Sequence, residues 1–227
     1  MNQSSWNSAD EAAVIARYES RFLEFGYSEK ALGWGEKGRQ RLRFDVLASH
    51  WSLKGKRILD LGAGFGDFYS HSTPLGISQY VGIDVTEVLV NEGLARNASK
   101  SNFTLKVGSV TDRAMFEKND ITIISGLFNF RLENGRNTEF IKEVLSLAFE
   151  FSEIGVGCNF ITDKVDFRDD IIHYQSPLEA LEIGYSLTRN CVLRQDYMPF
   201  EYSLFLDHRD TFDPRFAIFD HIRKKNE

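Results

Sequence analysis

The chain has 227 residues, 42% of them hydrophobic and 26% charged, which suffices to bury a real core; it is long for one compact domain and short for two independent ones. Its formal net charge is −6, and the 27 Lys and Arg residues are dispersed instead of forming a stripe, which argues against nucleic acid as a partner because phosphate neutralisation drives that affinity. Cys158 and Cys191 lack the spacing of a disulfide framework or a zinc site and fit free thiols in a reducing compartment, and no apolar run approaches the ~20 residues that span a bilayer. The expectation is a cytoplasmic protein with no metal and no membrane insertion.

Along the chain, apolar spacing through Ala12, Ala13, Ile15, Ala16, Phe22 and Leu23 predicts a helix over 9–24, with Ser8 or Asp10 as its cap. The stretch "FGYSEKALGWGEKG" that follows places four glycines among aromatics and predicts a loop. A second helix is expected over 39–51, with Leu42, Val46 and Leu47 inward and Arg39, Arg41 and Arg43 on other faces. Five short β-branched runs then alternate with helix-capable stretches: "KRILDL", "QYVGIDV", "FTLKVGS", "DITIISGLF" and "IGVGCNFI". Continuous apolar strands alternating with helices imply a parallel, Rossmann-like doubly wound α/β sheet covered on both faces. A helix over 176–188 opens with Pro177 after Ser176, and the two remaining strand-like runs, "NCVLRQDYM" and "FEYSLFLDH", are linked so closely that they must be antiparallel. The chain thus divides into an N-terminal helical extension (1–55), a core (56–207) and a tail (208–227).

The stretch "ILDLGAGFGDF" ends the first strand on Asp60 and places glycines at 62, 64 and 66. A dinucleotide site wants a third glycine at position 67, where a helix N-terminus meets a pyrophosphate, and this chain has Asp67 there. Two acids flanking the turn repel a pyrophosphate and tolerate a ligand carrying positive charge. Asp84, 22 positions after Gly62, ends the second strand beside the turn, where a carboxylate can accept both hydroxyls of a ribose. A nicotinamide oxidoreductase is therefore disfavoured.

"ILDLGAGFGDF" followed by "YVGIDV", "KVGSV" and "DITIISGLF" resembles the ordered motifs of the class I S-adenosylmethionine-dependent methyltransferases, from about Lys56 to Leu206. The resemblance implies a seven-stranded sheet with an antiparallel last strand, a helical lid, and S-adenosylmethionine as cofactor. Asp60, Gly62, Ala63 and Gly64 would line its methionine part, Asp84 would hold the ribose, and Val85 would lie on the adenine. Ser109 stands where the family often has an acid facing the adenine amino group. Val110 would offer its amide to the ring, and Leu127 or Phe128 would border the sulfonium. Arg43 or Arg39 would meet the methionine carboxylate, as a planar guanidinium suits one; surface arginines on an amphipathic helix are the other reading. Tyr18 and Trp34 are expected to pack more than to touch ligand.

Substrates of open α/β sheets sit beyond the carboxyl ends of the strands. That points to the loops around "FNFRLENG" and "TDKVDFRDDIIHYQSP", with His173 as first candidate base, since its ordinary pKa lies near working pH, then Tyr174, Asp163 and Asn129. The implied reaction is methyl transfer to a small molecule or sugar, on oxygen by preference; a small amine acceptor and a cofactor-binding scaffold without catalysis remain alternatives. A homodimer is compatible with this reading and not required by it.

Overall fold

The computed structural model describes residues 5–34 and 38–208. Part of the expected glycine loop and nearly all of the expected tail lie outside the described residues.

Seven strands form one sheet: β1 (Arg57–Leu61), β2 (Gln79–Asp84), β3 (Phe103–Val107), β4 (Asn119–Ile124), β5 (Ser152–Ile161), β6 (Asn190–Arg194) and β7 (Glu201–Asp207), in the order β3-β2-β1-β4-β5-β7-β6. The first five are mutually parallel, and β7 inserts antiparallel to both neighbours, with Ile161 of β5 opposite Glu201. The helices are α1 (Ser8–Phe25), α2 (Arg39–Ser49), α3 (Asp67–Ser72), α4 (Glu87–Arg96), α5 (Asn137–Phe151) and α6 (Pro177–Leu187).

Side chains alternate across the strands, so each face has its own apolar layer. Leu59, Leu61, Ile83 and Ile124 pack against Ile141, Val144 and Leu145 of α5 and Ala180 and Ile183 of α6. Ile58, Tyr80, Ile121 and Ile123 pack with Val46 and Leu47 of α2 and Phe68 of α3 on the other face. Strand-end residues are thereby fixed along one edge of the sheet, where the parallel strands all terminate.

Three local expectations are corrected. The cap of α1 is Asn7, whose side chain accepts from the amides of Ala9 and Asp10; Asp10 itself is fully buried and accepts from the Glu133 amide (3.1 Å) and Asn134 Nδ2 (2.7 Å). In α2, Leu42 is 36% exposed while Arg43 is 4% exposed. The wheel is turned by the charged pair that Arg43 makes with Glu201, which outweighs one leucine's preference for the interior. The fourth strand stops at Ile124, and the rest of "DITIISGLF" turns through Gly126 (φ 81°) into a short 3-10 turn, Leu127–Asn129.

Candidate active site

A cavity of about 270 Å³ opens over the carboxyl ends of β1, β2 and β4, roofed by α1, the loop after it and α2. Of the residues singled out from the sequence, Arg43, Asp60, Gly62, Ala63, Gly64, Asp84, Val85, Val110, Leu127 and Asn129 line it, together with Tyr18 and Trp34. Ser109, Phe128, His173 and Tyr174 do not. The Ser109 hydroxyl pairs with Thr111 (2.9 Å), and Phe128 is a core residue stacked on Phe160 at 5.2 Å. His173 Nε2 meets Gln175 Oε1 at 2.9 Å, while the Tyr174 hydroxyl accepts from the Asp169 amide. Burial, the largest influence on the His173 imidazole, lowers its pKa and favours the neutral ring.

The turn after β1 is closed upon itself. Gly62 and Ala63 donate their amides to Ile83 O (2.9 and 3.2 Å), Gly64 donates to Asp84 Oδ2 (2.8 Å), and Gly66 donates to Ala63 O (2.8 Å). A pyrophosphate cradle needs such amides pointing at the ligand; here four of them are already satisfied inside the protein. The glycines are required by φ values of 71°, 54° and 77° at 62, 64 and 66. A Cβ on Gly62 would meet Leu127 at 2.9 Å, and one on Gly64 would meet Leu32 of the roof at 3.0 Å. Gly66 instead lets α3 approach Phe103 of the edge strand β3 and is absent from the cavity wall.

Asp84 is fixed by two amides, Gly64 N on Oδ2 and Thr86 N on Oδ1, both at 2.8 Å. Each carboxylate oxygen retains a lone pair, so hydroxyl donors arriving from the cavity can be accepted as well. Burial raises its pKa and the two amides oppose that rise. Asp60 is also buried, accepts from the Tyr80 hydroxyl at 2.6 Å, and has its carboxyl pushed up to about 7, chiefly by desolvation, with Asp84 and Asp67 adding repulsion. A cation entering beside Asp60 would relieve that cost by favouring the carboxylate. Asp67, at the start of α3, ties down the roof: it accepts from the Tyr27 hydroxyl (2.7 Å) and Gln40 Nε2 (3.3 Å).

Much of the remaining wall is built from side chains. Trp6, Phe130, Leu132, Phe140, Ile171 and Ile172 give it an apolar part. Arg43 grips Glu201 through Nε (2.6 Å) and Nη2, and its guanidinium lies 4.2 Å from the Trp34 ring centroid. Three buried polar atoms of the wall, Arg43 Nη1, Trp34 Nε1 and Asn129 Oδ1, have no hydrogen-bond partner. Glu201, Trp6 and Arg17 were missed from the sequence; a lone acid opening a strand gives no local sign that it faces an arginine 158 positions earlier. Among the described residues there is no group of three His, Cys, Asp or Glu side chains able to hold a metal, and no helix long and apolar enough to cross a membrane.

Sheet order, the reversed β7 and a cavity at the ends of β1, β2 and β4 together define the class I methyltransferase fold, a Rossmann-like doubly wound sheet. Solved structures bear this out. The magnesium protoporphyrin IX methyltransferase ChlM of Synechocystis PCC 6803, crystallised with bound SAH, superposes with a TM-score of 0.65 at 13% identity over 88% of this chain and 100% of that one. An O-methyltransferase family protein from Burkholderia thailandensis gives 0.63 at 11% identity over 87% of this chain and 64% of that one. The Haemonchus contortus phosphoethanolamine N-methyltransferase 1, in complex with phosphoethanolamine and S-adenosylhomocysteine, gives 0.63 at 12% identity over 99% of this chain and 56% of that one. No protein-family model and no curated protein sequence matches the chain.

Proposed function

We propose that the chain is an S-adenosylmethionine-dependent methyltransferase that acts on a small molecule, with oxygen as the accepting atom. The observation that carries the reading is the closed turn beside two buried acids. With the amides of Gly62, Ala63, Gly64 and Gly66 donated internally and Asp60 and Asp84 on the wall, the site disfavours phosphate and favours a hydroxyl-bearing, positively charged ligand. When bound, S-adenosylmethionine supplies an electrophilic methyl group. Asp84 would hold the ribose hydroxyls, Asp60 would face the cationic part, Val85 and Leu89 of the cavity wall would lie against the base, and Leu127 would border the methyl end. The chain's contribution to rate is mostly positioning, holding the acceptor in line with the departing sulfur under a roof that excludes water.

The neighbours that carry names of both O- and N-methyltransferases support the chemistry and leave the acceptor to this chain's own residues. Asn129 Oδ1, a buried acceptor without a partner, suits a hydroxyl or amine proton and gives Asn129 a positioning role. His173 lies outside the wall and reaches it through its amide, which donates to Asn129 O at 2.9 Å, so His173 orients Asn129 in this reading. The expected polar, sugar-like acceptor fits less well than an apolar one, because the long segment after β5 contributes Ile171 and Ile172 to the wall.

Isothermal titration with S-adenosylmethionine, its demethylated product and NAD tests the cofactor; binding of NAD alone would sink the proposal. A labelled-methyl assay over phenols, hydroxy acids, sugars and amines then tests transfer and the accepting atom, and binding without transfer to any of them would favour the scaffold alternative.

A further inference from the structure

Strand order sorts the lining of the cavity into two chemistries. Asp60 and Asp84 lie at the ends of β1 and β2, and Val85 and Val110 follow β2 and β3, all at β1 or to one side of it. The loops after β4 and β5 stand on the other side and supply Phe130, Leu132, Ile171 and Ile172, joined in the wall by Trp6 and Phe140. None of these six side chains is ionisable, and neither is any other that the two loops give to the wall. The charges of the wall come from other elements: Asp60 and Asp84 beside the turn, Arg17 on α1, and Arg39, Arg43 and Glu201 grouped where α2 meets β7.

The uncharged part is braced by the protein itself. The two loops are stitched together by the His173 amide on Asn129 O (2.9 Å) and the Arg131 amide on Ile171 O (3.1 Å), with Phe130 bridged antiparallel to Ile172. Trp6 stacks on Phe140 at 5.0 Å, Phe140 meets Phe128 edge-on at 6.0 Å, and Trp6 Nε1 donates to Glu11 Oε2 at 2.9 Å, so a file of rings backs the wall. Ring faces and edges of this kind favour a flat aromatic partner over a saturated one. One polar atom interrupts the apolar surface: Asn129 Oδ1, buried and without a partner. It can only accept, so a neutral hydroxyl satisfies it and a carboxylate does not. An ion of either sign would give up its hydration here with no counter-charge on the two loops.

Resting on the methyltransferase reading above, we propose that the accepting substrate is an uncharged hydroxylated aromatic compound, a phenol in chemical class, whose ring lies on Trp6, Phe130 and Phe140 and whose hydroxyl donates to Asn129 Oδ1. Leu127, two residues before Asn129, stands against Gly62, so the hydroxyl is held near the border between the acceptor's part of the cavity and the glycine turn. The same oxygen of Asn129 tells substrate from product. An aryl methyl ether has no proton to donate, leaves Asn129 Oδ1 unsatisfied and is held more weakly than the phenol.

The test uses the full chain saturated with S-adenosylhomocysteine and titrates five compounds of one shape at pH 7: 4-ethylphenol, its methyl ether, 4-ethylbenzoate, 4-ethylbenzylamine and 4-ethylcyclohexanol. The phenol is expected to bind about tenfold or more tightly than the benzoate and the ammonium, and about threefold or more tightly than the ether and the saturated alcohol. Asn129→Leu is expected to bring phenol and ether to within about twofold of each other, with S-adenosylhomocysteine affinity within about threefold of the parent; if that variant fails to fold, Asn129→Ser takes its place. No binding of the phenol overturns the inference, and so does a benzoate or ammonium that binds as tightly. A benzoate that binds more tightly would hand the acceptor to Arg17 or Arg43. A saturated alcohol equal to the phenol removes the aromatic class, and a phenol preference that survives the loss of the Asn129 amide removes the assigned hydrogen bond. A tenfold loss of S-adenosylhomocysteine affinity in the Asn129 variant with the phenol preference intact would assign Asn129 to the methyl donor and overturns the inference as well. Failure of the parent chain to bind S-adenosylhomocysteine at all is a separate result and removes the methyltransferase reading itself.

Discussion

The wall carrying Asp60, Gly62 to Gly64 and Asp84 is made of strand ends held by main-chain hydrogen bonds, whereas the wall carrying Trp34, Arg43 and Glu201 is made of side chains from a loop, a helix and the seventh strand. In the first, the backbone shapes the site and the carboxylates add chemistry. In the second, the side chains are the structure, so the same groups that await a ligand also hold the roof on the sheet. Substitutions on the two walls should therefore separate: the carboxylates of the first wall set ligand affinity and its dependence on pH, and the largest losses of stability fall on the second.

Arg43→Met should show the largest effect. It leaves the Glu201 carboxylate buried without its partner, and a loss of about 3–5 kcal/mol is expected in chemical denaturation. A loss under about 1 kcal/mol would mean that the pair is dispensable and the contrast false.

Asp60→Asn should act through pH. The folded chain keeps a proton on Asp60 up to about pH 7, while the unfolded chain releases it near 4, so the parent loses stability as pH rises between those values. Asparagine still accepts from the Tyr80 hydroxyl without that cost. The variant's stability relative to the parent should rise by about 2–3 kcal/mol from pH 5 to pH 7, read from denaturation curves at both values. A difference independent of pH would show that Asp60 titrates as an ordinary carboxylate. For the parent, affinity for S-adenosylmethionine should increase as pH rises through 7.

Asp84→Asn is expected to weaken S-adenosylhomocysteine binding by about 10- to 100-fold, equivalent to about 1–3 kcal/mol, by replacing one charged acceptor of the ribose hydroxyls. Unchanged affinity in a titration would remove Asp84 from the site. At the bottom of the scale, Leu42→Ala should stay within about 0.5 kcal/mol in melting experiments, because Leu42 faces away from the roof's contacts. A larger change would restore the inward orientation that apolar spacing suggests.

Much of this architecture was legible in the chain. The β-branched runs at 57–61, 79–84 and 119–124 are strands because each is buried on both faces, and glycines at 62, 64 and 66 mark a turn because all three take positive φ. Acid spacing from Asp60 to Asp84 survives as geometry because β1 and β2 are adjacent and in parallel register, Asp60 opposite Gly82. The loops were less legible. Near Asn129 and His173, residue type suggested a base, but the His173 ring turns to Gln175, and Phe128 points into the core. Nothing in a local window distinguishes a loop histidine that faces a cavity from one that braces its own loop.

What the sequence determined by itself was periodic and local: element types, the parallel core with its closing antiparallel strand, and a turn whose glycines and acids disfavour a pyrophosphate. Tertiary structure alone decided which arginine of α2 turns inward, which aromatic covers it and which acid answers it. Those contacts join positions 34, 43 and 201, far apart along the chain, and their energies depend on burial that exists only once the helices have docked.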